Sequence, residues 1–166
     1  IAGGSLAIAF GTVAFNSAAS QHGGGIYAMS GTVTLTGTIL GDNTAQSSYP
    51  DLGGSGVTAS YTLIESAADA ALFGISDGVN GNVVGSDPGF DGGLTTNGGP
   101  TKTVALGATS PAVDQISSGT IGCGGTVATD QRGVSRPQGS ACDIGAYEAV
   151  VYAAGVRVSK GVTKGA

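Results

Sequence analysis

The stretch Gly31-Thr32-Val33-Thr34-Leu35-Thr36 follows a glycine and then alternates polar and apolar side chains with a period of two. Such alternation predicts a β-strand that buries one face and exposes the other. We therefore expect Val33 and Leu35 to face inward and the threonines to form an outward row. Ile39 and Leu40, a few residues later, are expected to face inward as well.

Two other stretches resemble this strand. Gly11-Thr12-Val13-Ala14-Phe15 stands about twenty residues before it, and Gly56-Val57-Thr58-Ala59-Ser60 is a looser copy after it. A short strand that returns at a fixed period, with glycine at the corner, is typical of a solenoid. One coil cannot bury its apolar face alone, whereas stacked coils can, at about 4.8 Å per coil.

The composition suits a thin-walled fold of small residues. Of 166 residues 32 are glycine and none is tryptophan, while 40% are hydrophobic, which argues against disorder. Only 10% are charged, compared with about 25% in ordinary globular chains, so surface charge contributes little to solubility. The length indicates a single domain.

The charge distribution excludes a nucleic-acid partner. The net charge is −5, and the last ten residues hold three of the six basic side chains, Arg157, Lys160 and Lys164. The rest of the chain is therefore strongly acidic, whereas phosphate binding needs clustered lysine and arginine. The sequence also shows no transmembrane stretch and no signal peptide, and it begins with Ile1.

The two cysteines, Cys123 and Cys142, predict a disulfide. A metal site would need more ligands nearby, and a catalytic thiol would need a histidine, but the single histidine is His22. A disulfide across a loop of about twenty residues contributes roughly 3 kcal/mol in the loop-entropy model. It also indicates an oxidising, extracellular compartment.

The chain changes character after residue 64. Ser66-Ala67-Ala68-Asp69-Ala70-Ala71-Leu72-Phe73 has helical composition and ends before Gly74. Residues 74–118 are punctuated by turn signals such as Asp87-Pro88-Gly89 and Asn97-Gly98-Gly99-Pro100. The last eighteen residues contain the alternating, strand-like stretches Val150-Val151-Tyr152-Ala153 and Gly155-Val156-Arg157-Val158-Ser159.

Two ordered blocks carry a resemblance to a known family. The first contains Gly23-Gly24-Gly25-Ile26-Tyr27, Gly31-Thr32-Val33-Thr34-Leu35-Thr36, Thr38-Ile39-Leu40 and Asp42-Asn43-Thr44. The second contains Asp87-Pro88, Asn97-Gly98-Gly99-Pro100-Thr101, Ser110-Pro111-Ala112-Val113-Asp114, Asp130-Gln131-Arg132-Gly133-Val134, Arg136-Pro137 and Asp143-Ile144-Gly145-Ala146-Tyr147-Glu148. Over residues 10–148 the chain resembles the C-terminal region of the choice-of-anchor Q group of bacterial right-handed parallel β-helix surface proteins.

The resemblance implies a secreted or surface-exposed β-helix that ends in a disulfide-closed cap before a surface anchor. It brings no catalytic residues. This chain departs from the family in its shorter β-helix and in its tail, residues 149–166, which shows neither a sortase-type motif nor a membrane span.

The acidic residues allow several interpretations. Most lie beside Gly, Pro or Asn, which favours short carboxylates that cap turns; a convergent cluster on one face would instead support a polysaccharide lyase or hydrolase. Asp87, Asp91 and Asn97 could supply oxygen ligands to Ca²⁺, although their spacing matches no known loop. In the cap we expect Arg132 and Arg136 to form structural ion pairs with their acidic neighbours Asp130 and Asp143.

The predicted fold is all-β: a short right-handed parallel β-helix with an irregular, disulfide-closed C-terminal cap and a strand-like tail. We place the coils at about residues 1–64, the cap at about 65–148 and the tail at 149–166. No catalytic, cofactor or metal site is predicted.

The predicted function is that of an extracellular structural module that associates with itself into an oligomer or filament. An open coil end presents unpaired backbone groups, and a strand-like tail can cover the open end of a neighbour. The residues predicted to take part are Ser5, Leu6, Ile8 and Phe10 at the open end and Val150, Val151, Tyr152, Val156 and Val158 in the tail. The alternatives are a fragment of an adhesin that binds a glycan or surface, and a polysaccharide-processing enzyme.

Overall fold

A computed structural model describes residues 2–19 and 22–150 of the chain. It consists mainly of short parallel β-strands, with one short helix. The strands are β1 (Ala2–Ala9), β2 (Thr12–Ala14), β3 (Ser17–Ala18), β4 (Ile26–Ala28), β5 (Ser30–Thr36), β6 (Ile39–Gly41), β7 (Thr44–Ala45), β8 (Leu52–Gly54), β9 (Val57–Ser60), β10 (Leu63–Ile64) and β11 (Val83–Val84). The helix α1 spans Ala67–Ala71, and two 3-10 turns span Val79–Gly81 and Thr120–Gly122.

The strands stack because the chain returns to the same strand positions in successive passes. The first pass contains β1 to β4, the second β5 to β8, and the third β9 and β10; β11 begins a fourth. Parallel pairing joins β1, β5 and β9 in one sheet, β2, β6, β10 and β11 in a second, and the pairs β3–β7 and β4–β8. The all-β prediction with parallel strands is thereby confirmed.

The predicted repeat of about twenty residues is wrong for the first two copies. Thr12 pairs with Ile39, not with Thr32, and the strand that pairs with residues 32–36 is β1. Each pass contains two apolar strands that follow a glycine or bend. The sequence match therefore aligned β2, the second strand of the first pass, with β5, the first strand of the second pass. The looser third copy does pair with β5, but one residue away from the register that the glycines suggest, because Val33 pairs with Val57 and not with Thr58.

The side-chain directions predicted for β5 are confirmed. Val33 and Leu35 are completely buried, whereas Thr34 is exposed. Val33 and Leu35 form the inner core together with Leu40, Leu52 and Ile64, which come from neighbouring strands and passes. Ile39 is also completely buried, but it belongs to a second cluster on the opposite face of its strand.

This second cluster lies between the four-stranded sheet and the C-terminal segment, residues 85–149. It combines Ile39 and Leu63 of the sheet with Ile116, Cys142 and Ile144 of the segment. The segment reaches back to the first pass, where the Ala146 N–H donates to Thr12 Oγ1 at 3.1 Å. The region predicted as an end cap therefore covers one side of the strand stack, including its first pass.

The far end of the stack is closed by residues 66–82. The predicted helix is confirmed as α1, and the Ser66 side chain caps it by accepting from the Asp69 N–H. Asn82 Nδ2 donates to the Ala59 carbonyl and Asn82 Oδ1 accepts from the Thr62 N–H, so this side chain satisfies backbone groups of the third pass. The strand pattern thus continues to Val84, beyond the boundary at residue 64 that the sequence predicts.

The β5 alternation yields a stability test. Replacing Leu35 by Ala should lower the free energy of unfolding by about 2–5 kcal/mol, because a fully buried leucine leaves a cavity. Replacing exposed Thr34 by Ala should change it by less than about 0.5 kcal/mol. Urea denaturation followed by circular dichroism measures both, and equal losses from the two variants would show that the strand register is wrong.

Candidate functional site

The first pass has one uncovered edge in the described structure. Its strands pair only with the second pass: β1 with β5, β2 with β6, β3 with β7 and β4 with β8. Strand β1 spans eight residues, of which Gly3 and Gly4 have positive φ, so its regular extended backbone at this edge covers residues 5–9. An edge of this length is a template for strand addition.

The inner side chains of the first pass are incompletely covered for the same reason. Leu6 pairs with Val33 and Ile8 with Leu35, so each pair occupies equivalent positions in successive passes. Val33 and Leu35 are 0% exposed, whereas Leu6 and Ile8 are only partly buried. The core that closes fully in the second pass therefore remains open toward the uncovered edge.

The structure divides the predicted self-association residues into four groups. Ser5 is exposed, and Leu6 and Ile8 are partly buried on the uncovered strand. Phe10 instead lies beneath the C-terminal segment, with its ring centroid 4.9 Å from the Arg136 guanidinium carbon. Val150 is 40% exposed. The tail positions Val151, Tyr152, Val156 and Val158 lie outside the described residues.

The C-terminal segment contains a buried network of charges. Arg136 is 4% exposed, pairs with Glu148 at 2.7 Å and donates to the carbonyls of Asp143 and Gly145. The expected Arg136–Asp143 ion pair is therefore replaced by a pair with Glu148, whereas the expected Arg132–Asp130 pair is present at 2.7 Å. Glu148 is the better partner because its longer side chain also accepts from the Gln138 and Asp143 N–H groups.

The same segment contains the disulfide. Cys123 and Cys142 are bonded with an S–S distance of 2.04 Å, as the sequence predicts. Cys142 also exchanges backbone hydrogen bonds with Ile116, and both cysteines of the disulfide are buried. A disulfide fits a protein of an oxidising compartment.

Carboxylates line a cleft at one corner of the stack. The cleft has a volume of about 360 Å³, and Asp42, Asp51 and Glu65 contribute to its wall together with Asn43 and Ser66. Asp51 is 2% exposed, and burial raises its pKa, with the nearby Asp69 adding to the effect. Burial likewise raises the pKa of Glu65.

These carboxylates serve the backbone. Asp51 accepts from the Ser66 N–H, Asp69 accepts from the N–H groups of Asp51 and Leu52, and Glu65 accepts from the Asp42 N–H. Apart from Asp42 and Asp91, every acidic residue accepts a bond from a backbone N–H; the others are Asp77, Asp87, Asp114, Asp130, Asp143 and Glu148. Asp87 and Asp130 cap local turns, as the sequence predicts, whereas Asp51, Glu65, Asp69, Asp114 and Asp143 accept from N–H groups at least fifteen residues away and so join distant parts of the chain.

Two of the three residues considered for calcium, Asp87 and Asn97, are likewise engaged in loop structure. Asp87 caps the Gly89 N–H, and the Asn97 side chain donates to the Thr103 carbonyl. Within residues 2–19 and 22–150, no group of three or more His, Cys, Asp or Glu is arranged to hold a metal ion.

Sequence reasoning missed the residues that connect the corners of successive passes. Asn43 is 6% exposed, accepts from the Asn16 N–H of the first pass and donates to Asp51 across the corner. Thr12, the first residue of β2, also anchors the C-terminal segment by accepting from the Ala146 N–H. The only signal was the Asp-Asn pair after Gly41, which indicates a corner but does not identify its partners.

Comparison of the chain with family models, with curated proteins and with solved structures finds no match. In the part of the chain that the structure describes, no helix is long and apolar enough to cross a bilayer.

The buried network yields a pH test. Burial raises the pKa of Asp143 from 3.8 to about 6. The hydrogen bonds from the Asp114 and Ala149 N–H groups lower this pKa, and the negative charges of Glu148 and Asp114 raise it. A carboxyl group whose pKa is higher in the folded state than in the unfolded state stabilises the fold in its protonated form. This stabilisation is complete at a pH below the unfolded-state pKa and is lost as the pH rises through the folded-state pKa. The contribution of Asp143 should therefore fall by on the order of 2–3 kcal/mol between about pH 4 and pH 7.

The Asp143→Asn variant isolates this effect, because it cannot titrate there. The difference in unfolding free energy between wild type and variant, from urea denaturation at each pH, should decrease from pH 4 to pH 7. Asp91→Asn, which removes an exposed carboxylate, controls for the change in net charge. A difference that stays constant with pH would contradict the assignment.

Proposed function

We propose that this protein is a non-enzymatic, exported structural module that associates with copies of itself through the uncovered edge of its first pass. The observation that carries the proposal is the partial burial of Leu6 and Ile8 at positions where the next pass buries Val33 and Leu35 completely. Covering these side chains would remove apolar surface from water, which stabilises by about 25 cal/mol per Å². A partner strand would also satisfy the backbone groups of β1.

The finer description of the fold belongs to this proposal. The stacked parallel passes support a short right-handed parallel β-helix, and the disulfide supports export to the cell surface or medium. Both agree with what the resemblance to choice-of-anchor Q surface proteins implies. In this account the module is bacterial and extracellular, and its partners are copies of itself.

The closed far end of the stack determines which kind of contact is available. Asn82 already occupies the Ala59 carbonyl, and the Asn80 carbonyl already accepts from the Tyr61 N–H. The first pass of one copy therefore cannot stack directly on the third pass of another. A strand from outside the stack is needed, and the alternating tail after residue 149 offers one by its sequence. Repeated head to tail, this contact is heterologous and produces a filament.

The chemistry of the charged residues supports a structural role over an enzymatic one. The carboxylates of the corner cleft hold backbone N–H groups. Two of the three basic residues outside the tail, Arg132 and Arg136, form ion pairs inside the C-terminal segment. A lyase or hydrolase would need such groups free to face a substrate.

A glycan-binding adhesin is the second candidate, and one observation favours it. Three rings cluster at a corner of the first two passes: His22 lies 5.5 Å from both Tyr27 and Tyr49, measured between ring centroids. Aromatic rings that expose a face can stack on sugars. Sedimentation of the protein with insoluble polysaccharides, compared between wild type and Tyr49→Ala, separates this function from self-association.

The tail provides the direct test of self-association. Deleting residues 150–166 should leave a folded protein, because the deleted residues lie beyond the buried network, and should raise the dissociation constant for association at least about tenfold, or 1.4 kcal/mol. Sedimentation velocity over a range of concentrations measures association, and circular dichroism checks the fold.

A matched variant separates strand pairing from charge attraction. Replacing Arg157, Lys160 and Lys164 by Ser removes the basic charge but keeps the apolar alternation, so this variant should still associate. The proposal fails if the full chain stays monomeric at high concentration or if the shortened chain associates as strongly as the full one.

A further inference from the structure

One asparagine differs from all the others in the described structure. The sequence has five asparagines, and all of them lie among the described residues. Four donate a hydrogen bond from the side-chain amide to another described group: Asn16, Asn43, Asn82 and Asn97. The fifth, Asn80, is exposed, and its side chain has no hydrogen-bond partner among the residues that the structure describes. Asn80 also directly precedes a glycine, Gly81.

An asparagine that precedes glycine can lose ammonia without an enzyme, and asparagine is among the thermolabile residues for this reason. The backbone nitrogen of the glycine attacks the side-chain Cγ, forms a C–N bond and expels ammonia, which leaves a five-membered succinimide ring. Water then opens one of the two C–N bonds of the ring. The product is aspartate or isoaspartate, and in isoaspartate the main chain runs through Cβ and Cγ. Glycine favours the attack because it has no Cβ to shield its nitrogen.

Both reacting groups at Asn80 are free of competing contacts. Asn80 lies in the 3-10 turn Val79–Gly81 with a left-handed backbone, φ 53° and ψ 29°. The Gly81 N–H donates to no group in the part of the chain that the structure describes. Neither the attacked amide nor the attacking nitrogen therefore has to break a hydrogen bond before the ring can close.

The second Asn-Gly pair of the chain, Asn97-Gly98, is held in a different way. Asn97 is half-buried, and its Nδ2 donates to the Thr103 carbonyl at 3.0 Å and to Thr103 Oγ1 at 3.1 Å. These bonds must break before the side chain can turn toward Gly98. At the usual net strength of a hydrogen bond, that requirement slows the reaction about tenfold or more.

We propose that Asn80 is the deamidation site of the folded protein and that its conversion to isoaspartate loosens the closed far end of the stack. Isoaspartate makes the main chain one atom longer between residues 80 and 81. The surrounding contacts leave little room for this change, because a Cβ on Gly81 would stand only 2.6 Å from the ring of Tyr61. Asn82 is fixed to the third pass through the Thr62 N–H and the Ala59 carbonyl. The longer connection must therefore displace one of these contacts. This inference is independent of the proposed association through the first pass.

Peptide mapping by mass spectrometry tests the site in the full-length protein. After incubation of the folded protein at mildly alkaline pH, residue 80 should convert about tenfold or more faster than residue 97. The matched control is the same protein in guanidinium chloride, where both Asn-Gly pairs have lost their contacts and should react at similar rates. Thr103→Val removes one bond to Asn97, so in the folded protein it should speed conversion at residue 97 and leave residue 80 unchanged.

Amide hydrogen exchange tests the loosening. In the isoaspartate form the Thr62 N–H, which donates to Asn82, should exchange faster than in fresh protein, whereas the Val33 N–H, bonded to the Gly56 carbonyl inside the stack, should keep its protection. Asn80→Asp adds the charge without lengthening the chain and should leave Thr62 protected.

Each contrary result removes a stated part of the proposal. Conversion at residue 97 that equals or exceeds that at residue 80 in the folded protein, or no conversion at either residue, overturns the site. Conversion to isoaspartate with unchanged exchange at Thr62 overturns the loosening.

Discussion

Each pass of this chain buries its inward apolar side chains against whatever covers it on either side in the stack, and the inner core depends on this constraint. The second pass satisfies it on both sides, and Val33, Leu35 and Leu40 are completely buried there. The third pass is covered by α1 and by Asn82. The first pass has a neighbour on one side in the described structure, which leaves Leu6 and Ile8 partly buried. The proposed association follows from that asymmetry.

The C-terminal segment makes so short a stack possible. A few narrow passes bury little apolar surface by themselves, but the segment covers the outer face of the four-stranded sheet and forms a second core around Ile39 and Leu63. The Arg136–Glu148 pair is completely surrounded by protein, so removing one partner would leave a buried charge, at a cost of about 3–5 kcal/mol. The network thus fixes the segment in one position, from which it holds Thr12 and Phe10 of the first pass.

Much of the local structure could be predicted from the sequence because it depends on local alternation and on turn-forming residues. The strand around Val33, the helix after Ser66 and the disulfide are of this kind. The pairing of passes could not be predicted in the same way. The two apolar strands of one pass begin with similar residues, so the sequence match between Gly11 and Gly31 indicates the wrong partner strand. The true partner of β2 is β6, and only the pairing of Thr12 with Ile39 in the structure identifies it.

The long-range polar contacts were also beyond reach of the sequence. That Arg136 selects Glu148 over Asp143, or that Asn43 joins Asn16 to Asp51, depends on which corners meet in space. The uncovered edge itself was predictable in outline, since β1 is apolar and alternating. The sequence could not show that the uncovered edge ends before Phe10, because the ring of Phe10 is covered by Arg136, more than a hundred residues away in the chain.

Amide hydrogen exchange at the edge of β1 tests the central claim most directly. The N–H groups of Ala7 and Ala9 face away from the second pass, so they should exchange quickly in dilute protein and become protected as the concentration rises and a neighbour's strand pairs with them. The N–H of Phe10, already bonded to Thr36, should be protected throughout. Equal exchange of Ala7 and Ala9 at low and high concentration would contradict the account, because the edge would then have no partner among copies of this chain.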